Sequence, residues 1–79
     1  MKVRILRGDD CEGMYVGNKL IDQGHWIGEG DPLFILRMSE KYHFKHDDVM
    51  IFETTEEDDC YLEDKCEFPE DINELNSHY

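Results

Sequence analysis

Positive charge is what this chain has least of: 8 lysines and arginines stand against 20 aspartates and glutamates, a formal charge of −12 over 79 residues. Nucleic acids and anionic membranes both ask for a basic surface, so this composition is expected to repel them and to favour cationic proteins or cations. Long apolar runs are missing too. The opening MKVRILRGDD has Lys2, Arg4 and Arg7 interrupting every apolar stretch, and neither a signal peptide nor the ~20 apolar residues of a membrane span can be drawn there. Cysteine is scarce and odd in number. Cys11, Cys60 and Cys66 show neither the CxxC pairing of a zinc site nor the density of a disulfide scaffold. The expectation is a cytoplasmic protein with three reduced thiols.

Catalytic signatures are equally thin. The serines are Ser39, inside a predicted helix, and Ser77, in the tail, and no cysteine lies near a histidine in sequence or in an elbow motif. Gly28-Glu29-Gly30 leads into Asp31, but Glu29 and Asp31 would repel a phosphate, and no P-loop Lys-Ser/Thr follows. His43-x-x-His46 with Asp47 and Asp48 offers imidazoles and carboxylates to a transition metal. Set between a helix and a strand, it reads more simply as a solvated turn. No catalytic residue, cofactor or metal ligand is therefore assigned.

A chain of this length is expected to form one domain with a core of ~3–5 kcal/mol net stability. KVRILR, residues 2–7, alternates Val3 and Ile5 with Arg4 and Leu6 as a strand. MYVGNKLI, residues 14–21, places Gly17-Asn18 between two β-prone triplets and predicts a hairpin with a two-residue turn. QGHWIGEGDP follows as a glycine-rich loop or irregular strand carrying Trp26. Asp31-Pro32 reads as an N-cap followed by proline at the first helical position. That predicts a helix from Pro32 to Tyr42 with Leu33, Ile35, Leu36, Met38 and Tyr42 on its apolar face.

VMIFET, residues 49–54, is nearly continuous in apolar residues and reads as a strand buried on both faces. Thr54 or Thr55 is expected to cap a second helix, Thr54-x-x-Glu57 having the capping-box spacing, and Phe68-Pro69 breaks it. A further helical turn anchored by Ile72 and Leu75 leads to a tail, residues 76–79, expected to fray. The order β-β-β-α-β-α gives an α+β fold, one small domain over residues 1–79 with a mostly antiparallel sheet and one helix covering a face.

Charge divides this domain unequally. Residues 1–52 carry nine acids against seven bases, net −2, and residues 53–79 carry eleven acids against Lys65, net −10. Acids in the first turn of a helix are favoured by its dipole. Projected on that helix, however, Glu56, Asp59 and Glu63 stack on one side with Glu57 and Asp64 beside them. Six carboxylates over residues 56–64 give about one charge per ~2 Å of helix, close to the ~1.7 Å spacing of duplex DNA. Three readings stand side by side: a solvated face, a face that binds a basic protein surface, and a cation site. An EF-hand is excluded by spacing, because residues 53–64 contain no glycine.

GDDCEGMYVGNKLIDQGH, residues 8–25, and YLEDKCEFPEDINEL, residues 61–75, resemble a group of short proteins encoded by bacteria and their phages. These share a hairpin of the form GDDxEGxYVxxKLxxxGH and a C-terminal FPEDxxEL element. The resemblance implies a compact intracellular accessory protein, from a phage or prophage, and transfers neither activity nor site residues. The expectation is a noncatalytic acidic module that binds, and could inhibit, a basic and nucleic-acid-binding protein. Its contact residues are Glu56, Glu57, Asp59, Glu63 and Asp64, with Trp26 as an aromatic anchor. The alternatives are a small metal-binding module and an oligomerising structural domain, such as a homodimer.

Overall fold

The computed structural model describes residues 2–28, 30–63 and 67–79, without the side chains of residues 60–63. The strands are β1 (Val3–Arg7), β2 (Glu12–Val16), β3 (Lys19–Gly24) and β4 (Val49–Glu53); the helices are α1 (Phe34–Tyr42) and α2 (Glu56–Glu63), with 3-10 turns at His46–Asp48 and Ile72–Glu74. Sheet order is β3-β2-β1-β4. β1 pairs antiparallel with β2, and β2 with β3, while β4 lies parallel to β1. This is the expected α+β class and mostly antiparallel sheet, with one parallel pair. No helix among the described residues is long and apolar enough to cross a membrane.

The hairpin forms where the sequence placed it. Gly17 takes φ 62° and Asn18 does not take a positive φ, as in a turn that needs its glycine at the first central position. Strand alternation then splits the core between two faces. Val3, Ile5 and Met14 lie with Phe34 and Phe44 on the α1 side. On the other side Leu6, Cys11 and Tyr15 meet Phe68, Ile72 and Leu75 from the C-terminal segment. That segment fits closely, since a Cβ on Gly13 would lie 2.7 Å from the Phe68 ring. It is also stitched to the hairpin: Tyr15 Oη donates to the Pro69 carbonyl at 2.6 Å, Leu20 N–H to Glu70 at 2.8 Å, and Ile72 N–H to Asn18 at 3.0 Å.

Several expectations are corrected here. α1 starts at Phe34, because Asp31-Pro32 forms a turn ahead of it: the Asp31 carboxylate accepts from Leu33 N–H and its carbonyl from Phe34 N–H. The docked stripe is Phe34, Met38 and Tyr42, spaced by four. Leu33 and Leu36, more than a quarter-turn from that stripe, are 58% and 62% exposed. β4 is an edge strand, with Met50 and Ile51 open to solvent on opposite faces. Continuous apolarity described its composition correctly and its position wrongly. Cys11 is disulfide-bonded and buried, against the expectation of a free thiol. The tail, expected to fray, is tied down by Asp58, as the geometry below shows.

Candidate functional site

The C-terminal ends of β1 and β4 and the first turn of α2 converge on one polar recess. It encloses ≈ 290 Å³ and is lined by Arg7, Gly8, Asp9, Glu12, Glu53, Thr54 and Asp59. Backbone bonds bring these elements together. Thr54 N–H donates to the Arg7 carbonyl at 2.9 Å and extends the parallel ladder one residue past β4. Gly8 N–H donates to the Cys11 carbonyl at 2.7 Å and closes the β1–β2 turn. The Thr54 hydroxyl lies between the Arg7 carbonyl and the Asp59 carboxylate, bonded to both.

Four carboxylates thus face one guanidinium. That guanidinium is committed, because Arg7 Nε lies 3.1 Å from Glu12 Oε2. The other oxygen of Glu12 accepts from Ile27 N–H at 2.8 Å. Asp9 and Glu53 are exposed, and Glu56 and Glu57 continue the exposed charge into α2. Among the described residues, ion pairs join Arg7 to Glu12 and Arg37 to Asp31, and the His46 ring meets the Asp47 carboxylate. None of them neutralises Asp9, Glu53, Glu56, Glu57 or Asp59.

The acidic block itself divides. Of the two threonines expected as cap, Thr55 takes the role: its Oγ1 accepts from Asp58 N–H at 3.4 Å. Asp58 is fully buried. Its carboxylate accepts from Asn76 N–H at 2.8 Å, Ser77 N–H at 3.3 Å, Tyr79 Oη at 2.5 Å and the Thr55 hydroxyl at 3.3 Å. Burial alone would raise its pKa; the bonds from Tyr79, Asn76, Ser77 and Thr55 outweigh that and hold it below the usual carboxylate value. Burial and the bond to Asp58 together push the Tyr79 phenol up. The tail is thereby fixed, and Tyr79 packs edge-on against Phe52 at 5.8 Å between ring centroids.

Of the six predicted contact residues, Glu56 and Glu57 are exposed, and Asp59 turns back to Thr54 at the recess wall. The side chain of Glu63, and Asp64 altogether, lie outside the described residues. Asp58, counted among the six carboxylates of residues 56–64, faces inward. Trp26 is 60% exposed. Its chain neighbours are held to the recess wall: His25 Nδ1 lies 3.1 Å from the Asp10 carbonyl, and Ile27 N–H bonds Glu12. An aromatic ring therefore stands on the loop that flanks the carboxylates. Sequence reading missed Asp9, Glu12 and Glu53 as part of this group, since they lie on three different elements.

The histidines do not form a metal centre with their neighbours. His43 ends α1 with φ 59°. His46 pairs with Asp47 at 2.9 Å, and Asp48 accepts from Lys45 N–H, which holds its carboxyl below the usual value. Among the described residues no three His, Cys, Asp or Glu side chains gather as metal ligands. Comparison with protein-family models, with curated proteins and with solved structures found no match.

Proposed function

We propose that the chain is a noncatalytic binding module whose acidic recess and α2 N-terminus receive a basic surface of another protein. One observation carries this reading: Asp9, Glu53 and Asp59 line one recess from the β1–β2 turn, β4 and α2, Glu56 and Glu57 stand exposed on the same first turn of α2, and among the described residues no lysine or arginine forms an ion pair with any of the five. Like charges held together cost stability unless something screens or pairs them. A partner's lysine or arginine would do so, with Trp26 beside the site to take the cation over its ring or to anchor the rim. A nucleic-acid-binding protein offers the matching charge, and blocking its binding groove would make this chain an inhibitor. The disulfide at Cys11 removes the support that reduced thiols would give to a cytoplasmic setting, and the reading does not depend on the compartment.

Such a complex is electrostatic in origin and weakens with salt, since screening shortens to ~10 Å at 0.1 M. The test is a low-salt pull-down from lysate with the wild type and a variant carrying Glu53→Gln, Glu56→Gln and Glu57→Gln. A partner held by the wild type, released by salt and lost from the variant is expected. Equal recovery by both proteins, or a complex indifferent to salt, would overturn the reading.

A further inference from the structure

The two edges of the sheet are finished differently. β3 is covered along its first residues by the C-terminal segment, with Lys19 bridged to Asp71, and its pairing with β2 shifts register between Met14 and Tyr15. Both are recognised ways of closing an edge. β4 has neither: VMIFE contains no lysine and no proline, pairs in unbroken register with β1, and meets no second strand among the described residues.

The register says which groups of β4 face outward. Thr54 N–H points to Arg7, and in a parallel strand alternate residues turn both backbone groups to the same neighbour. Met50 and Phe52 therefore face β1, while Val49, Ile51 and Glu53 face away. Val49 N–H is taken by the His46 carbonyl. The outward ladder is then the Val49 carbonyl and both backbone groups of Ile51 and Glu53. Met50 and Ile51, 54% and 55% exposed, flank it above and below.

We propose that this edge accepts an extended segment of another protein as an added strand, apolar at its centre and basic at its ends. The inference rests on the acidic reading above and gives its partner a shape. Strand addition supplies backbone bonds for affinity and side-chain contacts for choice. Charge sets the choice here: Asp47 stands exposed before β4, and Glu53, Glu56 and Glu57 stand exposed after it. A second copy is the poorer occupant. Paired about Ile51 on a two-fold axis, it would set Glu53 opposite Val49 and bring its own acidic ends against Asp47 and Glu53, with −12 meeting −12.

The test uses the full chain, labelled with nitrogen-15, and the peptide KKVTIVKK, alongside the same peptide N-methylated throughout its centre. Both peptides carry equal charge, and only the first can add a strand. The expected result is tighter binding of the first by about tenfold or more, the equivalent of one to two backbone hydrogen bonds. Amide exchange should slow at Ile51 and Glu53. Equal affinities, or protection elsewhere, would overturn strand addition and leave the acidic reading standing; binding of neither peptide would remove both. Protection of Ile51 and Glu53 that grows with protein concentration alone would make the occupant a second copy, and would overturn the proposal too.

Discussion

Asp58 and its neighbours Glu56 and Glu57 occupy one turn of one helix and have opposite surroundings. Asp58 is sealed under the C-terminal tail, with three donors from residues 76–79 on its carboxylate. Glu56 and Glu57 look into solvent. A run of like residues thus contains a structural member and recognition candidates side by side. What separates them is not charge, since all three are carboxylates, but the number of donors each can reach. A buried carboxylate is tolerable only when its oxygens are filled, and Asp58 meets that condition through partners that are mostly far away in sequence.

The contrast is broken most forcefully by Asp58→Ala. Removing the acceptor leaves Asn76 N–H, Ser77 N–H and Tyr79 Oη without their partner, and bonds to charged groups are among the stronger ones. A loss of about 2–4 kcal/mol in urea unfolding is expected. The pH dependence has a definite sign. Because the folded pKa of Asp58 is lowered, its contribution is fully present above the unfolded value of ~3.9 and fades as pH falls through the folded value. The gap between wild type and variant should therefore narrow below about pH 4. A gap that persists unchanged in acid would mean that the carboxylate's charge is not what the donors hold.

A smaller break comes from the other end of the same bond. Tyr79→Phe keeps the ring against Phe52 and removes the hydroxyl that donates to Asp58 and accepts from Thr55 N–H. About 1–2 kcal/mol should be lost, with amide exchange quickening at Asn76 and Ser77 ahead of the sheet. The raised pKa of Tyr79 has the reverse sign from Asp58. Stability linked to its proton is complete below ~10, the unfolded value, and is lost as pH rises through the folded one.

How far these features were legible depends on how local their causes are. The Gly17-Asn18 hairpin was legible because a two-residue turn needs only its own residues. The start of α2 was legible for the same reason, with the choice of cap left open between Thr54 and Thr55. Thr54-x-x-Glu57 and Thr55-x-x-Asp58 have identical spacing, and the choice between them was made by residues 76–79. The strand VMIFE was legible as a strand and misplaced as an interior one, because apolarity on both faces fits a buried strand and an edge offered to a partner equally well. α1 was misread through Phe34. Proline at residue 32 drew the helix start forward, and the large ring that docks on Val3, Ile5 and Met14 was left out of the predicted face. The recess was illegible because Asp9, Glu12, Glu53 and Asp59 meet only once β1 and β4 are parallel.

The mildest substitution acts on the exposed pair alone. Glu56→Gln with Glu57→Gln removes two charges from the first turn of α2, where the helix dipole favours them by ~0.3–1 kcal/mol each at most while their mutual crowding with Asp59 and Glu53 works the other way. These terms oppose, and exposed substitutions of this kind stay within about 0.5 kcal/mol, so the urea midpoint should barely move. Binding to a lysine-rich peptide at low salt should nonetheless fall, and the dependence of affinity on salt should flatten, because fewer charges remain to be screened. The pair of measurements separates two uses of carboxylate that one helical turn combines. If stability dropped while peptide binding held, Glu56 and Glu57 would be helix-starting residues like Asp58, and the partner's charge would have to be sought at Asp9 and Glu53 in the recess instead.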